Sequence, residues 1–590
     1  MNIRDMIRKM TVVSVSVGLC STLAAVDFPG AGGDLADKDA WGGTLPSSSD
    51  GVRIVNAGTY TASDDVRFSA VTVTADQVTF DLAQDGNHSV GVSGGDMLAL
   101  RFLTPANAVT TFKGGVWDCL SSSPYVAASG DKKSGRHVQL ADGCVWTNVA
   151  RVTVARSAAC GGAELSLTGG SRIYTQQLFV GYTSNDNVLR ITDGSSVVLD
   201  GYSGSSFYMD NSAPAARNAV FVSGEGSSLS VLQGASYLGN VGQDARMEVT
   251  DGAKAYFTQL IIGNKDTSTG ATLFVGNGAT LEADALTARS VGGESIVSNA
   301  TLKVPEDFRI GGYSNFTFRV MGAQTAFPIV LKDLENDGGP DVFCATSSGN
   351  ALWLEDSAAW EAPLSPKLFY NSKNVKQFNT FRVSGGARFV CTNTVNVGER
   401  VQANSRSNTW EIVDGGIVDI PELRLSGIGN RMIIDNASLY CTNKYSVSDQ
   451  YLRFGYRHPK STGDPADDGL TLRGEKPRVL STSTVQFLNG ATLRYEIPQA
   501  GYAKDYCPVQ SSALSFDSSS CTMEIEADDW ARETGGKLKL ATVTSSSGFK
   551  NGITNVIKAV SLPADCRLYI EGKSLFLKCP RRSGLAVIVK

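Results

Sequence analysis

The sequence predicts an all-β chain, a right-handed parallel β-helix (β-solenoid) with terminal caps, and three observations carry that expectation. The first is a repeated unit: two apolar residues one apart, a Gly/Asn/Asp turn, then another apolar residue. It begins at Leu165, Leu189, Val220, Met247, Leu273 and, more weakly, Ser295. It returns at Phe381, Trp410 and Met432, and after a longer interval at Val485. The second is a motif of apolar, any, apolar, Gly, in phase with the first. Leu178 follows Leu165, Leu260 follows Met247, Phe308 follows Ser295 and Val395 follows Phe381 at a nearly constant offset, while Leu452 stands further from Met432. The third is the apolar spacing itself, which has the strand period of two throughout, with helical spacing absent.

Such a unit, roughly 20–30 residues long with two or three short strands, cannot bury its own apolar face, so neighbouring units must stack on it. Stacking sets strands about 4.8 Å apart. It places Met247, Val249, Leu260, Ile262, Leu273 and Val275 in the core, with Asp251, Gly252, Asn277 and Gly278 making corners. Propeller blades need roughly 40 residues or more, so these units are too short for one. The right hand is expected because parallel crossovers take it overwhelmingly.

Composition agrees with short strands and tight turns. The 590 residues include 62 Gly and 18 Pro, with 19% charged, and the 42% hydrophobic content is enough to bury a core. A net charge of −5 without any basic cluster argues against nucleic acid as a partner.

Taken in chain order, residues 1–25 read as a secretory signal peptide. Arg4, Arg8 and Lys9 precede an apolar run over 11–23, and Ala24 and Ala25 follow it. The run is short of the roughly 20 residues a bilayer span needs. Leu19 stands before Cys20 where a lipoprotein signal would have a small residue. Cleavage would leave an exported mature chain, secreted or at the cell surface, with no transmembrane helix. Residues 26–139 hold weaker strands (VRIV, VTVT, VTFDL) and are expected to form the first rungs and an N-terminal cap, which shields the open edge. Residues 140–324 are solenoid repeats. Residues 325–380 read as an irregular, aromatic-rich insertion with Trp353, Trp360, Phe369 and Tyr370, expected to be a hydrophobic plug, with a carbohydrate-stacking loop as the alternative. The repeats resume over 381–497, where 456–480 reads as an exposed loop filling the long interval before Val485. Residues 498–590 supply terminal rungs or a cap through KLKLATV, RLYIEG, SLFLKC and LAVIVK.

The DGA, GNGAT and NGATL turns inside the units, together with the signal peptide, make residues 140–500 resemble the passenger regions of bacterial autotransporters and the exported β-helix proteins related to them. The resemblance implies a structural, cell-surface or adhesive role, with surface glycans or other surface proteins as partners. It equally implies polysaccharide lyases or glycoside hydrolases, which use similar scaffolds, and fold alone does not choose. The chain departs from the pattern at its end. About 90 residues follow the last clear repeat, too few for the translocating barrel of an autotransporter.

The sequence assigns no catalytic, cofactor-binding or metal residues. His88, His137 and His458 lie far apart in polar surroundings and read as surface histidines. Asp333, Glu335, Asp337 and Asp341 approach a calcium loop, but Cys344 occupies the position of the bidentate carboxylate, so an acidic turn is expected and calcium is the alternative. Export permits disulfides. Cys391 and Cys441 share their place in FVCTN and LYCTN. With one unit between them they stand about 10 Å apart, beyond disulfide reach, and are expected to be buried thiols. Cys507 with Cys521, and Cys566 with Cys579, are the expected terminal staples.

Overall fold

The computed structural model describes residues 25–83, 88–92, 100–119, 123–127, 134–201, 203–326, 341–343, 348–362, 367–368, 376–398, 405–442, 451–455, 468–516, 521–544, 548–550 and 565–580. The signal-peptide residues 1–24, and Asp333, Glu335, Asp337, Phe369, Tyr370 and His458, lie outside them.

Strands stack in parallel because each short apolar pair finds its partner one unit further along the chain. Met247 pairs with Leu273 and Val249 with Val275, in register. Repeated over successive units, this pairing builds one ladder of nineteen strands that runs from Gly33–Asp34 to Thr522–Glu526, every step parallel. We call one unit of chain a tier. After its first strand a tier turns onto a second and a third face. The long strand Lys254–Ile262 serves both, its first part pairing through Phe257 with Ala283 and its second through Leu260 with Leu286. From Ala359 onward the second face is a separate nine-stranded sheet. The fold is therefore all-β with long parallel sheets. Among the described residues its one α-helix is the short Asp528–Glu533.

Alternation of inward and outward side chains gives a continuous apolar core from Phe28 to Cys579. In Arg246–Thr250, Met247 and Val249 are buried while the residues between face outward. The corners follow from local chemistry. Asp251 and Gly252, then Asn277 and Gly278, all have positive φ (57°, 78°, 53° and 75°), the region that Gly, Asn and Asp tolerate best. The glycine that ends the second motif answers a different need. A Cβ on Gly263 would lie 2.3 Å from the Ser290 Cα of the next tier.

The structure corrects four expectations. Residues 325–380 are not irregular throughout: Ala351–Glu355 continues the first ladder between Thr317–Met321 and Thr380–Val383. Trp360 is an ordinary core residue there, packed at 5.0 Å on Phe389, while Trp353 faces outward under Arg319. Likewise, 456–480 is not wholly a loop. Gly469–Arg473 and Arg478–Ser481 are the first two strands of an extra tier that the third-face strand Thr484–Phe487 completes. Val485 lies in the column of Leu452, on the third face, and not in the first ladder. Finally, Cys507 and Cys521 are both buried thiols with no bond between them. The Cys507 Sγ lies instead 3.1 Å from the Val509 carbonyl and 3.4 Å from the Thr542 hydroxyl.

Two other cysteine expectations agree with the structure. Cys566 and Cys579 are disulfide-bonded, with Cα atoms 4.2 Å apart. Cys391 and Cys441 are buried thiols, and burial pushes both up to about 12. The ends of the stack differ. At the start, Trp41 packs edge-on against Phe28 at 4.6 Å and donates its indole N–H to the Leu35 carbonyl. At the far end the stacking sense changes, since Gly536–Val543 pairs antiparallel with Ser574–Cys579, and that strand with Arg567–Glu571.

One interior corner carries a polar relay. Asn350, Asn379, Asn408 and Asn430 each stand one residue before a first-ladder strand, and Asp468 completes the series. Each Oδ1 accepts the backbone N–H one tier back: Asn350 from Phe316, then Asn379 from Asn350, Asn408 from Asn379, Asn430 from Asn408 and Asp468 from Asn430, at 2.9 to 3.0 Å. Backbone groups buried at a corner need such partners.

Candidate functional site

The third face presents an outward column alongside the core residues Leu178 and Val180. Thr153, Phe179, Tyr208, Tyr237, Ile261 and Thr287 align across tiers. Phe179 stacks on Tyr208 with centroids 4.7 Å apart and planes 8° from parallel, and Tyr208 meets Tyr237 at 5.2 Å. The rings therefore spend their faces on one another, with Phe179 buried and Tyr208 and Tyr237 half-buried. Such a column stiffens the face, but it is not a flat platform for a sugar ring.

At the next corner runs a column of amides. Asn240 donates to Asn211 Oδ1 at 3.1 Å, Asn264 donates to Asn240 Oδ1 at 2.6 Å, and the Arg289 guanidinium donates to Asn264 Oδ1. Just inside lies Asp210, a fully buried carboxyl in positive-φ backbone. Its Oδ1 accepts from the Asn218 amide, whose own Oδ1 accepts from the Asn187 backbone and side chain at 2.9 and 2.7 Å. Its Oδ2 has no hydrogen-bond partner. Burial pushes the Asp210 carboxyl up to about 7, against the pull of Asn218 and with help from the charge of Asp244.

Acid and base groups meet elsewhere. Gly469, lacking a side chain between Arg431 and Thr492, opens a notch of about 220 Å³ lined also by Asp468, Thr471, Arg494 and Glu524. Arg494 is held by Glu526 at 2.6 Å, Glu496 at 2.9 Å and Glu524 at 3.5 Å. Further round, buried Glu422 takes Arg424 at 2.9 Å, Arg453 at 3.4 Å and the Thr394 hydroxyl at 2.8 Å. In both places arginines and carboxylates are paired with one another.

The histidines are more enclosed than expected. His88 and His137 are half-buried, and His137 Nε2 lies 2.7 Å from the Ser166 hydroxyl because the tier above overhangs it. Among the described residues, no group of three or more His, Cys, Asp or Glu is placed to hold a metal ion, and no helix is long and apolar enough to cross a membrane. Set against known protein families, curated proteins and solved structures, the chain matches none. The amide columns were the signal that sequence reasoning missed. The interior one is visible as an Asn just before the apolar pair in GNALWL, FNTFRV, SNTWEI and GNRMII.

Proposed function

We propose that this chain is an exported bacterial right-handed parallel β-solenoid of the autotransporter-passenger kind, with a structural, cell-surface or adhesive role. The observation that carries the reading is the first ladder, in which nineteen parallel strands recur one per tier around one continuous core. Neighbour-only stacking of this kind produces long side faces suited to extended contacts. The signal-peptide pattern at 1–25 supports export. Cell fractionation with N-terminal sequencing tests the proposal: a mature chain beginning near residue 26 in the surface or secreted fraction is expected, and a cytoplasmic full-length chain would overturn it.

A second reading, a polysaccharide lyase or glycoside hydrolase, draws on the notch at Gly469, where carboxylates and arginines meet on an outer face. Incubation with acidic and neutral glycans distinguishes it, because only an enzyme creates new reducing or unsaturated ends.

A further inference from the structure

The antiparallel end of the stack leaves one strand edge open. Arg567–Glu571 is the outermost member of the nine-stranded sheet, paired with Ser574–Cys579 on one side and, among the described residues, with no strand on the other. The hairpin decides which backbone groups face that open side. Gly572, with a φ of 59°, and Lys573 form a two-residue turn, so Glu571 and Ser574 face each other as a hydrogen-bonded pair, and such pairs alternate along an antiparallel ladder. The other end of the hairpin agrees: Cys566 and Cys579 have Cα atoms 4.2 Å apart, the close spacing of a non-hydrogen-bonded pair. Arg567, Tyr569 and Glu571 therefore spend their N–H and C=O groups on the neighbouring strand, while Leu568 and Ile570 turn theirs to the open side.

The side chains of this edge complement their own reverse order. In DCRLYIEGK, from Asp565 to Lys573, an antiparallel second copy related by a twofold axis at Tyr569 sets Arg567 opposite Glu571, Leu568 opposite Ile570 and Tyr569 opposite itself. Beyond the strand, the same register brings Asp565 toward Lys573. It also sets the outward N–H and C=O of Leu568 against those of Ile570, which makes both Leu–Ile pairs hydrogen-bonded ones. Exposure agrees: Ile570 is 37% exposed although apolar, and Asp565, Arg567, Glu571 and Lys573 are all exposed. Glu571 meets Lys537 of its own chain, but Arg567 has no ion pair among the described residues and lies over the Tyr569 ring at 6.0 Å. The Cys566–Cys579 bond and the stacking of Tyr569 on Phe576 at 5.6 Å hold the strand extended before any partner arrives.

We propose that Arg567–Glu571 is a self-association edge, through which two copies of this chain join their nine-stranded sheets antiparallel about a twofold axis. Charge chooses the orientation. A parallel copy would set Arg567 beside Arg567 and Glu571 beside Glu571, which repel, whereas the antiparallel copy meets opposite charge at both ends. Exposed edges are commonly guarded by charge against other chains, and here the charges admit one partner. A twofold contact consumes both edges and closes, so it yields pairs and not filaments. With five residues a side the contact is small, and the pairing is a weak, concentration-dependent one.

Sedimentation velocity of the mature protein, from micromolar to near-millimolar concentration at low and moderate salt, tests the pairing. A monomer–dimer equilibrium that weakens with salt is expected. Arg567→Glu and Glu571→Arg should each weaken it by about tenfold or more, with unchanged thermal melting, because each sets like charges face to face. Mixing the two variants should restore association, since every charged pair between them is again of opposite sign. A chain that stays monomeric throughout, single variants that associate as well as the unaltered chain, or a mixture that associates no better than either variant would overturn the proposal. Amide exchange separates the possible occupants of the edge. Protection of Leu568 and Ile570 should rise with protein concentration; protection already complete in the monomer would place another segment of the same chain there and overturn it too.

Discussion

The backbone N–H and the side-chain amide of Asn379 both donate to Oδ1 of Asn408, at 3.0 and 2.9 Å, in a corner that water does not reach. One oxygen thus satisfies two buried donors from the tier beneath it. Asn408→Ala removes that oxygen from both bonds, at a cost of about 1–3 kcal/mol. The loss should appear as a lower denaturation midpoint and as early hydrogen exchange at Asn379, with distant tiers unchanged because coupling runs mainly between neighbours. Unaltered exchange at Asn379 would show that the relay is not needed.

Asp210 predicts a pH dependence. Its folded carboxyl titrates near 7 because burial disfavours the charge, whereas the unfolded carboxyl titrates near its ordinary value of 3.8. Between these values the folded chain holds a proton that the unfolded chain has released. Stability is therefore fully present below pH 3.8 and declines as pH rises through about 7. The groups facing it are Asn218 and Asp244, with the exposed Arg217–Asp186 pair on the same corner. Asp210→Asn keeps the acceptor for Asn218 and removes the charge, so melting curves at pH 8 should shift upward relative to the unaltered chain while those at pH 4 coincide. An equal shift at both values would refute the assignment.

The cysteines separate by accessibility and bonding. Cys391 and Cys441 stand two tiers apart with Ile420 between them. Burial at about 12 keeps both as unreactive thiols near neutral pH. Alkylation of the native protein should spare them, and peptide mapping without reductant should find only the Cys566–Cys579 link among the cysteines described. Removing that link through Cys566→Ser should loosen the terminal hairpin by about 2–3 kcal/mol, seen as earlier proteolysis there.

Two glycines with the same φ of 75° separate strain from crowding. Gly278 has nothing within 4 Å of a Cβ, while at Gly263 the Cβ would collide with backbone of the next tier. Gly278→Ala should cost about 1–2 kcal/mol for the left-handed conformation alone. Gly263→Ala should cost clearly more, measured by thermal melting of the two variants side by side.

Much of this fold is written in the period-two pairs. Met247 with Val249 and Leu260 with Ile262 announce their faces because a polar residue or a Gly turn frames each pair. The tier at Ala351–Glu355 escaped detection because outward Trp353 turns LWL into an unbroken apolar run. That at Gly469–Arg473 escaped because its corner uses Gly474, Glu475, Lys476 and Pro477 in place of an Asp-Gly or Asn-Gly pair. Val485 misled because a local pattern states that a strand exists and not which face it joins. The convergence of Arg151 and Arg156 on the Tyr125 hydroxyl was out of reach altogether. They lie 26 and 31 residues from it, and only the stacking brings them together.

The nineteen strands of the first ladder all point the same way, and each tier answers only to the tiers beside it. At about 4.8 Å per step, this ladder is in effect a ruler graduated in whole units of chain. Excising residues 246–271 would bring Val220 against Leu273 and Leu229 against Leu281 in unbroken register, shortening the ruler by one graduation while leaving its markings aligned. Reach can therefore lengthen or contract by copying or losing segments, without any redesign of the interior.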